Sequence, residues 1–154
     1  MKISWKLFVV TLVAIFLSMP VGSIYARPMA TCSGATCNGV DPNGSGCSAV
    51  TAKSEWKDGS SGSGTLRTDL RWSSGCQSNW SRVTNEYPYQ VRRLRARLTN
   101  DDGVYITNLV DPVTSSDYGQ IWTDMYDGAN RRCAIGSQGL VGYSYDATTK
   151  PACG

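Results

Sequence analysis

The stretch LRTDLRWSSGCQSNWSRV, Leu66 to Val83, decides how this chain is read. Leu66, Thr68, Leu70 and Trp72 recur at period two, with Arg67, Asp69 and Arg71 between them, the pattern of a strand with one buried and one charged face. Ser73 to Asn79 breaks the run, and Trp80, Arg82 and Thr84 then alternate with Ser81 and Val83. The stretch is therefore expected to form a central hairpin. Leu70, Trp72 and Trp80 would lie in the core, and Cys76 would fasten the turn to another part of the chain.

Outward from the hairpin, the pattern of short strands and turns continues. Val91 to Leu98 (VRRLRARL) places Leu94, Ala96 and Leu98 on one strand face and Arg93, Arg95 and Arg97 on the other. A helix aligns Val91, Leu94 and Leu98 almost as well. The hairpin is preferred because Thr99 to Gly103 reads as a turn and the β-rich Val104 to Val110 follows. With Leu98 opposite Val104, Ala96 would face Ile106 and Arg97 would face Tyr105. Asp111 to Gly119 reads as a polar loop, Ile121 to Tyr126 and Leu140 to Tyr145 as further strands, and Ser60 to Gly64 (SSGSG) as a surface tip. Six or seven short antiparallel strands divided by turns predict an all-β fold, a small disulfide-stapled sandwich or barrel.

The first 26 residues are read separately. Lys2 and Lys6 precede an apolar run from Leu7 to Leu17, and Pro20 and Gly22 lead to a small residue at Ala26. That is the layout of a secretory signal peptide, and the apolar run is shorter than the roughly 20 residues a membrane span needs. Residues 27–154 then form a single secreted domain, with no membrane span after cleavage. Removing the two leader lysines lowers the formal net charge from +3 to +1, so overall charge does not call for nucleic acid.

All six cysteines follow this leader, and an even count in an exported chain reads as three disulfides. Cys37 and Cys47 bracket a turn-rich loop, so the expected pairs are Cys37 with Cys47, Cys32 with Cys76, and Cys133 with Cys153. No metal or other cofactor is expected: the chain has no histidine and no short C-x2-C pair of the structural-zinc type. Asp41 to Gly46 matches half of a calcium loop, but the position that requires glutamate is Ala52. Turn formation explains Asp-Pro-Asn-Gly as well.

The motifs C-S-G-A-T-C-N-G-V-D-P (Cys32 to Pro42), G-C (Gly46-Cys47) and L-R-W-S-S-G-C-Q-S-N-W-S-R (Leu70 to Arg82) resemble the bacterial family called domain of unknown function 2690. Trp122 to Met125 and Arg131 to Cys133 resemble its later T-x-M and R-x-C elements, so the likeness spans about residues 31–133. Trp72 replaces the family's tyrosine, Ser81 its alanine, and the segment after Cys47 lacks an expected acid. The resemblance implies an extracytoplasmic β domain and transfers no catalytic residue.

The lack of histidine excludes a Ser-His-Asp triad and a Cys-His pair. Glu55, Glu86, Asp117, Asp124 and Asp127 are available to a two-carboxylate hydrolase, yet no motif pairs them. The stronger candidate is a binding site of Arg93, Arg95, Arg97 and Tyr105, with Trp122 nearby, because guanidinium groups grip phosphate and carboxylate. The plainer alternative is a solvated face paired with acids such as Asp101. Tyr87, Tyr89, Tyr143 and Tyr145 are candidate stacking residues. The expectation is a secreted, non-catalytic module for an anionic cell-wall polymer or an extracellular protein, with no nucleic-acid partner. A small carboxylate hydrolase and a secreted protein-directed effector or inhibitor are the alternatives.

Overall fold

The computed structural model describes residues 29–59, 64–86, 92–114, 119–140 and 142–154. The expected leader over 1–26, the tip over 60–63, Tyr87 and Tyr89, and residues 115–118 with Asp117 lie outside these. Among the described residues, no helix is long and apolar enough to cross a membrane.

Ten strands form among the described residues, more than the six or seven expected: β1 (Val50–Asp58), β2 (Thr65–Ser73), β3 (Ser78–Asn85), β4 (Arg92–Thr99), β5 (Tyr105–Thr114), β6 (Gln120–Trp122), β7 (Tyr126–Asp127), β8 (Cys133–Leu140), β9 (Tyr145–Thr148) and β10 (Ala152–Cys153). They make two five-stranded antiparallel sheets. The first runs β1-β2-β3-β6, with β7 also on β3; the second runs β10-β8-β4-β5, with β9 also on β8. The all-β class holds and the architecture is a sandwich. Neither sheet closes into a barrel.

Leu66, Val83 and Ile121 of the first sheet meet Leu94 and Ala96 of the second, and Leu70 meets Leu98, Ala134 and Ala152. Each fully buried leucine contributes about 1.5–3 kcal/mol by leaving water. The sheets approach closely at Gly136, where a Cβ would lie 2.1 Å from Thr68 Oγ1 and 2.9 Å from Val83 Cγ2. Polar groups there are satisfied internally. Thr149 Oγ1 accepts from the Gly136 N–H at 3.1 Å and donates to Thr68 Oγ1 at 3.1 Å.

Several expectations change. β1 was not foreseen, because as a largely exposed edge strand it has no apolar alternation to read. Lys53, Glu55 and Lys57 stand opposite Leu70, Thr68 and Leu66, and a bulge follows Thr51, features that discourage pairing with another strand. The β4–β5 hairpin forms, but Leu98 pairs with Thr107, three residues from the expected Val104, and after a register shift Thr99 pairs with Tyr105. The polar loop begins later than expected, since β5 continues to Thr114. The turn holding Gly103 at φ 77 closes through Asn100, whose Oδ1 accepts from the Val104 N–H at 2.9 Å.

Trp72 and Trp80 lie on opposite faces of the first sheet. Ser73 pairs with Ser78, so Trp72 stands beside Asn79, and Trp80 beside Arg71. Even positions of β2 therefore share a face with odd positions of β3. Trp80 is 6% exposed, but outside the sandwich core: it is covered by Cys37, Cys76 and Met125. Trp72 is half-buried on the inner face.

The cysteine pairing is also corrected. The bonds are Cys32–Cys37, Cys47–Cys76 and Cys133–Cys153; only the last matches the expectation. The short 3-10 turn Gly34–Cys37 folds the chain back so that Cys32 meets Cys37. The Thr31 N–H bonds to the Ser45 carbonyl at 3.0 Å, which lays the two halves of this N-terminal cap side by side above Cys76.

Candidate anion-binding face

β4 lies inside the second sheet between β5 and β8, and its alternation sends Leu94, Ala96 and Leu98 inward. Arg93, Arg95 and Arg97 therefore project from the outer face, each half-buried. Their positive charge lies against aromatic rings. The Arg93 and Arg95 guanidinium carbons sit 4.4 and 4.2 Å from the Tyr145 ring centre, so one ring serves both cations. Arg97 lies 4.9 Å from the Tyr105 ring centre, donates to its hydroxyl, and donates to Ser137 Oγ at 3.0 Å. Arg93 Nη2 reaches the Tyr143 carbonyl at 3.3 Å.

The Nε atoms of Arg93, Arg95 and Arg97 and the Tyr145 hydroxyl are buried and have no hydrogen-bond partner among the described residues. For the guanidinium groups of this face, a carboxylate, phosphate or sulfate oxygen is the acceptor that suits best. Asp101, suggested by sequence as a neutralising neighbour, instead pairs with Arg131 at 3.5 Å. Asp146, beside Tyr145 on β9, is itself engaged.

The structure thus brings together Arg93, Arg95, Arg97 and Tyr105, the residues singled out by sequence. Trp122 does not join them. It stands opposite Arg82 on the first sheet, and its indole N–H donates to Asp41 Oδ1 at 2.9 Å. The same oxygen accepts from the Asn43 N–H at 2.8 Å, so the calcium-like segment is an Asx turn. The residue that pattern reading underrated is Tyr145. It is at this site because β9 pairs with β8, which brings Tyr145 opposite Gly139, the partner of Arg93.

The outer face of the first sheet handles its arginines differently. Asp69, 2% exposed, accepts from Ser54 Oγ at 2.7 Å and from Arg82 Nε and Nη2 at 3.0 and 2.6 Å, and lies 3.4 Å from Arg67 Nε. Arg67 also pairs with Glu86 at 2.6 Å. Arg71 donates to Thr51 Oγ1 and to the Ala49 carbonyl. Burial first, then the Arg82 and Arg67 charges, lowers the Arg71 pKa, and Asp69 opposes the shift.

A cleft of about 510 Å³ opens at one end of the sandwich, lined by Leu70, Trp72, Asn79, Asn130 and Arg131 among others. Gly128 is required there, since a Cβ would fall 2.2 Å from the Trp72 ring. None of the described side chains lining the cleft is a carboxylate. Of the acids weighed for hydrolysis, Glu86 is committed to Arg67, and Asp127 caps a turn by accepting from the Ala129 N–H at 3.0 Å. Compared with known proteins, the chain matches no family model, no curated protein and no solved structure.

Proposed function

We propose that this chain is a secreted, non-catalytic β module that binds an anionic polymer of the cell envelope or extracellular matrix through the Arg93–Arg95–Arg97 face. The observation that carries the reading is the row of Arg93, Arg95 and Arg97 on one outer strand face, each half-buried with its guanidinium group held against the Tyr145 or Tyr105 ring. Alternate residues on a strand repeat about every 6.8 Å, so the row offers a linear series of cations and suits a repeating polyanion better than a single small anion. The tyrosine rings hold the guanidinium planes and reduce the entropy lost on binding. Three disulfides are compatible with an oxidising, extracellular compartment, in line with the expected leader. Membership of the family resembled in sequence belongs to the same proposal and adds an envelope location without a chemistry.

The test is co-sedimentation of the oxidised protein with purified anionic wall polymer, repeated across a salt series. Three neutralised charges on a flexible chain predict a log–log salt slope of roughly −2. Changing Arg93, Arg95 and Arg97 together to Ser should weaken binding at least about tenfold at low salt and flatten the slope. Binding that ignores salt, or survives the triple change, overturns the reading.

A further inference from the structure

The N-terminal cap contains a second arrangement of ligand atoms. The Sγ atoms of Cys32, Cys37, Cys47 and Cys76 all lie within 4.8 Å of one another. They come from three separate parts of the chain: the 3-10 turn, the loop before β1, and the β2–β3 turn. Sequence spacing argued against zinc because no C-x2-C pair is present, yet folding gathers four sulfurs where spacing supplies no such motif.

We propose that, once both disulfides of the cap are reduced, these four cysteines bind one zinc ion as a tetrathiolate centre. Zinc–sulfur bonds of about 2.3 Å in a tetrahedron place the sulfurs roughly 3.8 Å apart. The unbonded sulfur pairs, at most 4.8 Å apart, need to close by no more than about 1 Å. The bonded pairs need to open by roughly 1.7 Å, which the short turns that carry them allow. A dithiol reductant supplies two electrons and two protons to each disulfide and is itself oxidised to a disulfide. Zinc then displaces the four thiol protons, leaving a centre of net charge −2.

The surroundings suit such a centre. Cys37 and Cys76 are fully buried, and Trp80, Met125 and Val40 pack around the sulfurs and keep water away. Cys133 and Cys153, paired on the second sheet, stand outside this group. The centre would hold the cap on the first sheet by metal bonds in place of the Cys47–Cys76 disulfide. The chain would then have two cross-linked forms, one for oxidising and one for reducing conditions.

Cobalt(II), which reports its ligands by colour, is the probe. Anaerobic titration of the fully reduced chain should give one equivalent of cobalt with tetrahedral tetrathiolate bands, and one equivalent of zinc should abolish them. The Cys133→Ser/Cys153→Ser variant should reproduce this titration, whereas Cys32→Ser/Cys37→Ser and Cys47→Ser/Cys76→Ser should each lose the tetrathiolate spectrum. Circular dichroism on the same samples records whether metal restores strand structure to a reduced chain that has unfolded. The proposal is overturned if reduced protein gives no stoichiometric complex, folded or not, or if the spectrum survives loss of either cap pair. It is equally overturned if the spectrum requires Cys133 and Cys153. In any of those cases the cluster is two neighbouring disulfides only.

Discussion

The two outer faces of the sandwich each carry three arginines. On the first sheet, Arg67 and Arg82 converge on the buried carboxylate of Asp69, and Arg71 is tied to Thr51 and Ala49. On the second, Arg93, Arg95 and Arg97 rest on Tyr145 and Tyr105, and their Nε donors remain unused. A guanidinium held by a carboxylate has its charge neutralised within the protein, even where, as at Arg67, the Nε itself makes no hydrogen bond. One held by a ring keeps its positive potential for a partner, since the ring restrains the group without accepting its in-plane hydrogen bonds. The first face is therefore neutralised within the protein, and the second keeps the cationic row on which the proposed binding rests.

That contrast can be broken at Asp69. Asp69→Ala strands Arg82, Arg67 and Ser54 together, and should destabilise the oxidised protein by about 3 kcal/mol, the lower end for a disrupted buried pair because the arginines are themselves partly exposed. Chemical denaturation measures this, and polyanion affinity should not change while the protein is folded. A loss below about 1 kcal/mol would make the two faces equivalent. Next in size, Gly136→Ala forces a methyl group against Thr68 and Val83 and should lower stability by about 1–3 kcal/mol in a thermal melt. It lies between the faces, so a matching loss of binding would mean that affinity reports only global folding.

Tyr145→Leu removes the ring shared by Arg93 and Arg95 and should cost about 1 kcal/mol of stability together with part of the binding. Tyr145→Phe keeps the ring and removes a buried hydroxyl that has no partner, so binding should match the native protein and stability should be equal or slightly higher. If the two variants behave alike, the ring does not organise the arginines. The smallest effect is expected for Asp101→Asn. Its pair with Arg131 is more than half exposed on both sides, so denaturation midpoints should move by less than about 0.5 kcal/mol and polymer binding not at all. A rise in affinity would show that Asp101 restrains the arginine row after all.

Much of this is legible in the chain because backbone alternation is local. Leu66, Thr68 and Leu70 against Arg67, Asp69 and Arg71 needs only the two-residue period of a strand, and so does Arg93, Arg95 and Arg97 against Leu94, Ala96 and Leu98. Alternation within a strand does not carry across a turn, where the pairing register decides which faces meet. Trp72 and Trp80 look alike in sequence, yet the Ser73–Ser78 pairing puts them on opposite faces, one against the cap and one at the cleft. β1 was missed because an edge strand that buries almost nothing has no reason to alternate. Tyr145 was undervalued because its place beside Arg93 depends on β9 pairing with β8, a contact no local pattern encodes.

By itself, the sequence determined the all-β class, the central and arginine-bearing hairpins, and the composition of a cationic strand face, since each follows from side-chain chemistry at a fixed backbone period. Only the tertiary structure decided which rings meet the arginines, which carboxylate satisfies the opposite face, and which cysteines bond. Those choices rest on register between strands far apart in the chain, where a shift of one residue exchanges the faces of an entire strand. They rest also on a tight turn that brings Cys32 to Cys37 and leaves Cys76 to Cys47.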